Sequence, residues 1–262
     1  MKHLFLSPHP DDAALSCGGR IATLAQAGEP VEIYTLMAAN MPPDTPQGEF
    51  VVEHVLRWNL GPDPSPGRRI EDACAAEVLG ATLCCGDLVD AIYRVGDDSR
   101  LLYPDLDVLF GEIAPDDAVR ARIEPIARAL GPDVVLYAPL GAGHHVDHQA
   151  VRDVALVWQA LHPGAPVLFY EEYPYTVRDS RAIEAARALL GRETSAEIYP
   201  VSGDVLETKI RAIACHVSQI PTFWAGVEAM ADDVRQYAAA VGAGAPAERF
   251  WRPSAPRDVS GV

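Results

Sequence analysis

Short apolar runs alternate with amphipathic segments along this chain of 262 residues, and that alternation narrows its possible folds more than any other feature. KHLFLS (2–7), VEIYTLM (31–37), TLCCGDL (82–88), GPDVVLYAPL (131–140), PVLFYEEYPYT (166–176) and AEIYPV (196–201) read as strands. Such runs lack polar alternation, so they suit strands buried on both faces. Between them lie segments of helical period: 14–28, with Leu15, Ile21 and Leu24 on one stripe and Gly28 and Pro30 as stops; 68–81, closed by Gly80; about 117–130; the segment after the loop at 141–148; 178–190; and 204–217. Strand–helix alternation predicts an α/β fold, a Rossmann-like three-layer sandwich around a mostly parallel sheet. No repeat or interdomain linker interrupts it, so 1–262 reads as a single domain, with a peripheral tail from about 243. The Pro- and Gly-rich connection from Asn40 to Gly67 is long enough to be a functional lid, and 90–104 is irregular.

In parallel sheets of this kind, ligands bind beyond the carboxyl ends of the strands. Two polar clusters fall there. SPHPDD follows the first strand, and HHVDH (144–148) follows GPDVVLYAPL. Asp11 and Asp12, or Asp147, would each serve as a helix cap. Capping accounts for one carboxylate in each place. It does not account for His9, for two adjacent aspartates that repel each other, or for three histidines and an aspartate within five residues. Together the clusters supply His9, Asp12 and His148, nitrogen and oxygen donors suited to one Zn2+ per chain with a coordination position left open. Other divalent transition metals accept the same donors. A cation also offsets the repulsion between the aspartates and leaves Asp11 free as a base.

These residues carry a resemblance. The chain resembles the PIG-L/LmbE-like family of metal-dependent N-acetylglucosaminide de-N-acetylases, through His9-Pro10-Asp11-Asp12 and His145-Val146-Asp147-His148 in that order. The helix pattern Arg68, Glu71, Ala75, Leu79, Gly80 matches as well, and more weakly Lys209, Ala212 and His216-Val217-Ser218-Gln219. The resemblance implies a zinc-dependent hydrolase that removes the N-acetyl group from an amino sugar or glycoconjugate. It implies His9, Asp12 and His148 as metal ligands and Asp11 as general base. A protonated His145 would stabilise the oxyanion or assist the leaving group, with Asp147 orienting it. Arg68 would be an anchor for substrate or structure; a surface pair with Glu71 at i,i+3 is the plainer alternative. It further implies a homo-oligomer.

The chain departs from the family in two places. Ala13 stands where many members carry Glu, and Ala142-Gly143-His144 lacks the tyrosine that some thiol-sugar deacetylases place before H-x-D-H. His144 either substitutes for it, chelates metal together with His148, or points to solvent. Tyr93, Arg94, Tyr103, Glu171, Glu172, Tyr173 and Tyr175 are loop candidates for sugar contact, each more plausibly a packing or surface residue when taken singly. His54 and Trp58 read as a packed pair, His216 as a satisfied core histidine, and Trp251 as tail packing.

Charge and cysteine usage exclude other classes. A formal net charge of −16 repels phosphate backbones, so nucleic acid is not expected as a partner. No G-x-G-x-x-G or P-loop pattern supports a silent nucleotide-binding protein, and an amidase acting on another small amide keeps the same metal site. Five cysteines without C-x-x-C predict reduced, mostly buried thiols, with one of Cys84 and Cys85 facing inward. The start of the chain lacks a signal-like apolar region and no segment spans a membrane, so a cytoplasmic protein is expected.

Overall fold

The computed structural model describes residues 1–178 and 181–254. Its elements are β1 (Lys2–Ser7), α1 (Asp12–Gln26), β2 (Val31–Thr35), α2 (Glu49–Trp58), α3 (Ser65–Leu79), β3 (Thr82–Cys85), α4 (Leu106–Leu109), α5 (Arg120–Ala129) and β4 (Val134–Pro139). They continue as α6 (Val146–Leu161), β5 (Val167–Tyr170), α7 (Tyr175–Arg178), α8 (Arg181–Leu189), β6 (Thr194–Pro200), α9 (Gly203–Ala214), α10 (Ile220–Phe223), α11 (Val227–Val241) and β7 (Ala247–Pro253). The helix expected over 178–190 is α8, with Asp179 and Ser180 outside the described residues, as is the tail from 255 onward.

One seven-stranded sheet has the order β3-β2-β1-β4-β5-β7-β6. The strands β1 to β5 pair in parallel, and β7 runs antiparallel between β5 and β6. The sheet is buried on both sides because successive side chains point to opposite faces. Leu4 and Leu6 join the layer of α2, α5 and α6, whereas Phe5 joins that of α1, α3, α9 and α11 and stacks on Tyr137 with ring centroids 4.0 Å apart. This is the three-layer α/β architecture predicted from the alternation. Among the described residues, no helix is long and apolar enough to cross a membrane.

Three expectations are corrected. Residues 247–253 are not a peripheral tail: they form an inner strand, Phe250 is fully buried, and Trp251 donates to Glu171 at 2.7 Å. Cys74 and Cys215 are not free thiols. They form a disulfide across a sequence separation of 141, with Cα atoms 5.9 Å apart, because α3 and α9 pack side by side on one face of the sheet. Cys84 and Cys85 are both exposed, since β3 is a short edge strand with little covering its end.

Two glycines let α1 lie close to its neighbours, Gly18 against α9 and Gly19 against Glu248 of β7. A Cβ at Gly18 would stand 2.8 Å from Lys209 Cγ, and one at Gly19 would stand 2.9 Å from Glu248 Oε1. Their absence lets Lys209 Nζ reach Glu248 Oε1 at 2.6 Å, while Glu248 also accepts the Gly19 and Arg20 backbone N–H groups at 2.8 and 2.7 Å. Both side chains are buried. Removing one partner of a buried pair typically costs about 3–5 kcal/mol, because the other charge is left uncompensated. Lys209→Met should therefore lower the urea midpoint by that equivalent; an unchanged midpoint would show that the backbone donors alone satisfy Glu248.

Candidate metal centre

The strand order 3-2-1-4-5 reverses between β1 and β4, the place where an open parallel sheet leaves a crevice. The loop after β1 carries His9, Asp11 and Asp12; the loop after β4 carries His145, Asp147 and His148. Pro8 and Pro10 keep the first loop extended up to the helix. Asp11 then adopts φ 135° and ψ −36°, a conformation that favours glycine. Neither cluster acts as a carboxylate cap. The side chain of Asp11, the N-cap of α1, caps nothing, and Asp12 Oδ2 reaches back to the His9 N–H at 2.9 Å. At α6 the cap is His145, whose Nδ1 accepts the Asp147 N–H at 3.1 Å.

His9 Nδ1 lies 3.2 Å from Asp12 Oδ2, and His148 Nε2 lies 3.4 Å from the same oxygen. A tetrahedral ion with bonds of 2.0–2.1 Å has donor–donor edges of about 3.3–3.4 Å, so this spacing fits zinc. All three residues are buried, and neither ring nitrogen of His148 has a hydrogen-bond partner, which leaves Nε2 available as a ligand. A second donor set, His9, His145 and Asp147, overlaps the first through His9. His144 turns away with φ 67° toward Glu112 Oε1 at 3.2 Å and belongs to neither set, so the chelate with His148 does not form.

Supporting groups surround these donors. Asp147 Oδ2 faces His9 Nε2 at 2.9 Å and accepts the Ala91 N–H at 2.9 Å, while Oδ1 accepts from Arg94 at 2.5 Å. The carboxylate of Asp147 thus fixes His9, not His145, through the carboxylate–histidine arrangement that orients metal-binding imidazoles. Behind His148, Glu172 Oε1 lies 3.5 Å from Nδ1, and Glu172 accepts the Gly141 and Ala142 N–H groups. Sequence reasoning placed Glu172 and Arg94 only among loop candidates; no local pattern marks either as buried behind a histidine.

The electrostatics favour a cation. Burial opposes a charge on His9, yet Asp90, Asp12 and Asp147 outweigh it and raise its pKa well above the ordinary value. Burial likewise opposes ionisation of Asp12, but His148 and His9 hold its carboxyl well below the usual range. Burial and the neighbouring Asp12 push Asp11 well above that range. His145 is driven well below the ordinary imidazole value by burial and by His9. A neutral His145 whose Nδ1 accepts a backbone N–H carries its proton on Nε2. Burial and His9 thus work against the protonated His145 that the resemblance implies, and either state keeps Nε2–H as a donor.

The centre opens into a cavity of about 350 Å³. Part of the 40–67 connection forms its wall: α2 presents Phe50, His54 and Trp58 in an edge-to-face stack with centroids 4.3 and 5.6 Å apart. Phe110, Tyr175 and Phe223 also line the cavity. Arg68 is buried, not paired on the surface with Glu71, which instead accepts from Ser218. Its guanidinium donates to Asp90 and to the Pro10 carbonyl, both at 3.3 Å, lies 3.8 Å from Asp11 Oδ2, and covers the Trp58 ring at 4.5 Å. Asp90 is a site residue that no sequence pattern revealed. Of the other loop candidates only Tyr175 lines the cavity; Tyr93, Tyr103, Glu171 and Tyr173 are buried away from it. His216 is buried as expected, yet neither ring nitrogen has a partner, and burial lowers its pKa to about 3.

Comparison with known proteins places the chain among deacetylases. The family model described as PIG-L, GlcNAc-PI de-N-acetylase, matches residues 4–160, which include both loops. The chain is 32% identical to 2'-N-acetylparomamine deacetylase of Streptomyces fradiae, over 82% of this chain and 72% of that protein. It is 27% identical to 1D-myo-inositol 2-acetamido-2-deoxy-alpha-D-glucopyranoside deacetylase of Rhodococcus opacus (strain B4), over 89% and 87%. The crystal structure of the zinc-inhibited form of teicoplanin deacetylase Orf2 superposes with a TM-score of 0.81 at 27% identity, covering 98% of this chain and all of that one. With the family match spanning more than half of the sequence and both donor-bearing loops inside it, this chain belongs to the PIG-L (GlcNAc-PI de-N-acetylase) family.

Proposed function

We propose that the protein is a zinc-dependent hydrolase that removes the N-acetyl group from an N-acetylated amino sugar or its glycoconjugate, releasing acetate and a free amine. The observation that carries the reading is the spacing of His9 Nδ1, Asp12 Oδ2 and His148 Nε2 around one point at the switch between β1 and β4, with Asp11 beside them. The names of the two curated relatives, each a deacetylase of an N-acetylated amino sugar, support the substrate class.

Bound at these donors, a divalent ion supplies Lewis acidity toward the attacking water and the amide carbonyl. The chain's own groups do the rest. Asp11 is strained into place, desolvated and beside Asp12, which raises its proton affinity and makes its carboxylate a stronger base than an ordinary aspartate. It takes the proton of the attacking water and returns it to the departing amine, with the C–N bond breaking as the amine leaves. His145 Nε2–H donates to the carbonyl oxygen as that oxygen gains charge. A single donor placed in this way is commonly worth about 3 kcal/mol of barrier. Arg68 holds Asp11 and Asp90 in position and faces the cavity, where it anchors a sugar hydroxyl. The aromatic stack on α2 offers flat apolar faces to the ring.

The test is acetate release from a panel of acetamido sugars and their glycosides by protein loaded with one zinc equivalent. Release from an acetamido sugar, lost on chelation and restored by zinc, is expected. Hydrolysis confined to non-sugar amides would overturn the substrate class, and hydrolysis indifferent to chelation would overturn the metal reading.

A further inference from the structure

Two donor sets share His9, and an ion cannot be held productively in both. The first combines His9 with Asp12 and His148. The second combines it with Asp147 and His145, and a cation there would occupy His145 and lie on the Nε2 side of His9, away from Asp12 and His148. The donor types do not favour one over the other: each set has two imidazoles and one carboxylate, and all five residues are buried. Something outside the donors has to decide between them.

Among the described residues, only the second set has an arginine or lysine paired with its carboxylate. Arg94 Nη1 donates to Asp147 Oδ1 at 2.5 Å, while its Nε donates to Asp117 Oδ2 at 3.0 Å and Nη1 also reaches the Val89 carbonyl at 3.0 Å. The guanidinium is itself locked from behind. The Tyr103 hydroxyl donates to Asp117 Oδ2 at 2.6 Å, and Asp117 Oδ1 accepts the Val119 N–H at 2.9 Å. Oδ1 is engaged by Arg94, and Oδ2, which accepts the Ala91 N–H, also faces His9 Nε2. His9 is thereby left with Nδ1 toward Asp12 and His148.

We infer that Arg94 is a positioning residue that assigns the metal to His9, Asp12 and His148 by keeping Asp147 out of the ligand shell. This rests on the metal-centre reading above. In the absence of the guanidinium, Asp147 is a buried carboxylate seeking a cation, and the ion itself becomes its partner. Residues that orient metal-binding imidazoles commonly change metal affinity by about 10–100-fold when lost.

The test is titration of the metal-free protein with cobalt(II), followed through the visible absorption of the ion and by calorimetry. Wild type should take one equivalent. Arg94→Met should bind its first equivalent about tenfold or more weakly, take up a second, show an altered visible band, and lose acetate release as cobalt is added in excess. Arg94→Lys, which returns a charge to Asp147, should restore the single equivalent and the wild-type band. Arg94→Met combined with Asp147→Asn should lose the second equivalent. If Arg94→Met does not fold, Arg94→Gln takes its place with the same expected result. Wild-type affinity, stoichiometry and spectrum in the charge-deleted variant would overturn the assignment while leaving the metal reading intact. A wild-type protein that binds no cobalt would overturn both.

Discussion

Asp11→Asn should lower kcat for acetate release by about 10²–10⁴-fold, the range attributed to a positioned acid–base group, while bound metal stays near one equivalent. The asparagine keeps the shape of the side chain and loses only its ability to take and return a proton. The structure places this carboxylate beside the donor set without making it a member of it. Elemental analysis of the purified variant alongside its steady-state kinetics checks both halves; undiminished kcat would remove Asp11 from the acid–base role. A companion variant separates chemistry from folding. Asp11 sits at φ 135°, where a non-glycine residue costs of the order of 1–3 kcal/mol, and its buried carboxyl is disfavoured as an anion. Asp11→Gly should therefore raise the denaturation midpoint while abolishing turnover, a trade of stability for function confined to one residue.

His148→Ala should abolish turnover by a different route, through loss of the metal. In the proposed site three protein donors would hold the ion; removing the imidazole would leave His9 and Asp12, too few for tight binding. Affinity should fall by more than about 100-fold, the upper end of the effect seen for merely supporting residues. His148 is buried and faces Asp12 and Glu172, but Asp12 keeps the His9 N–H and Glu172 keeps the Gly141 and Ala142 N–H groups, so the fold should survive its loss. Chelator competition measures the affinity, and circular dichroism confirms the fold. Retained metal together with retained acetate release would place the ion elsewhere, and the second donor set would be the first candidate.

Both predictions concern loops that the sequence marked clearly. Strands too apolar for a one-sided sheet, each followed by a helix, leave few alternatives to a parallel sheet with helices on both faces. Once that is granted, the polar residues after the first and fourth strands fall on one edge, and their donor types suggest a metal. The two motifs are local, so a linear reading finds them. The same reading went wrong where burial was decided by distant partners. ERFWR resembles a loose end, yet it inserts between β5 and β6 because Phe250 and Trp251 are covered by residues far away in sequence. Cys74 and Cys215 looked like separate thiols because nothing local brings α3 against α9.

The division has a physical basis. The sequence by itself determined the fold class, the two chemical loops and the kind of ion they suit, because hydrophobic period, turn residues and donor identity are properties of short segments. Only the tertiary structure decided how the charges are shared out. It gave Asp147 to His9 rather than His145, set burial and His9 against a charge on His145, buried Arg68 against Asp90, and set Arg94 behind the centre from a stretch without a legible pattern. Electrostatic roles depend on distance and desolvation, and neither is defined until remote parts of the chain have packed together.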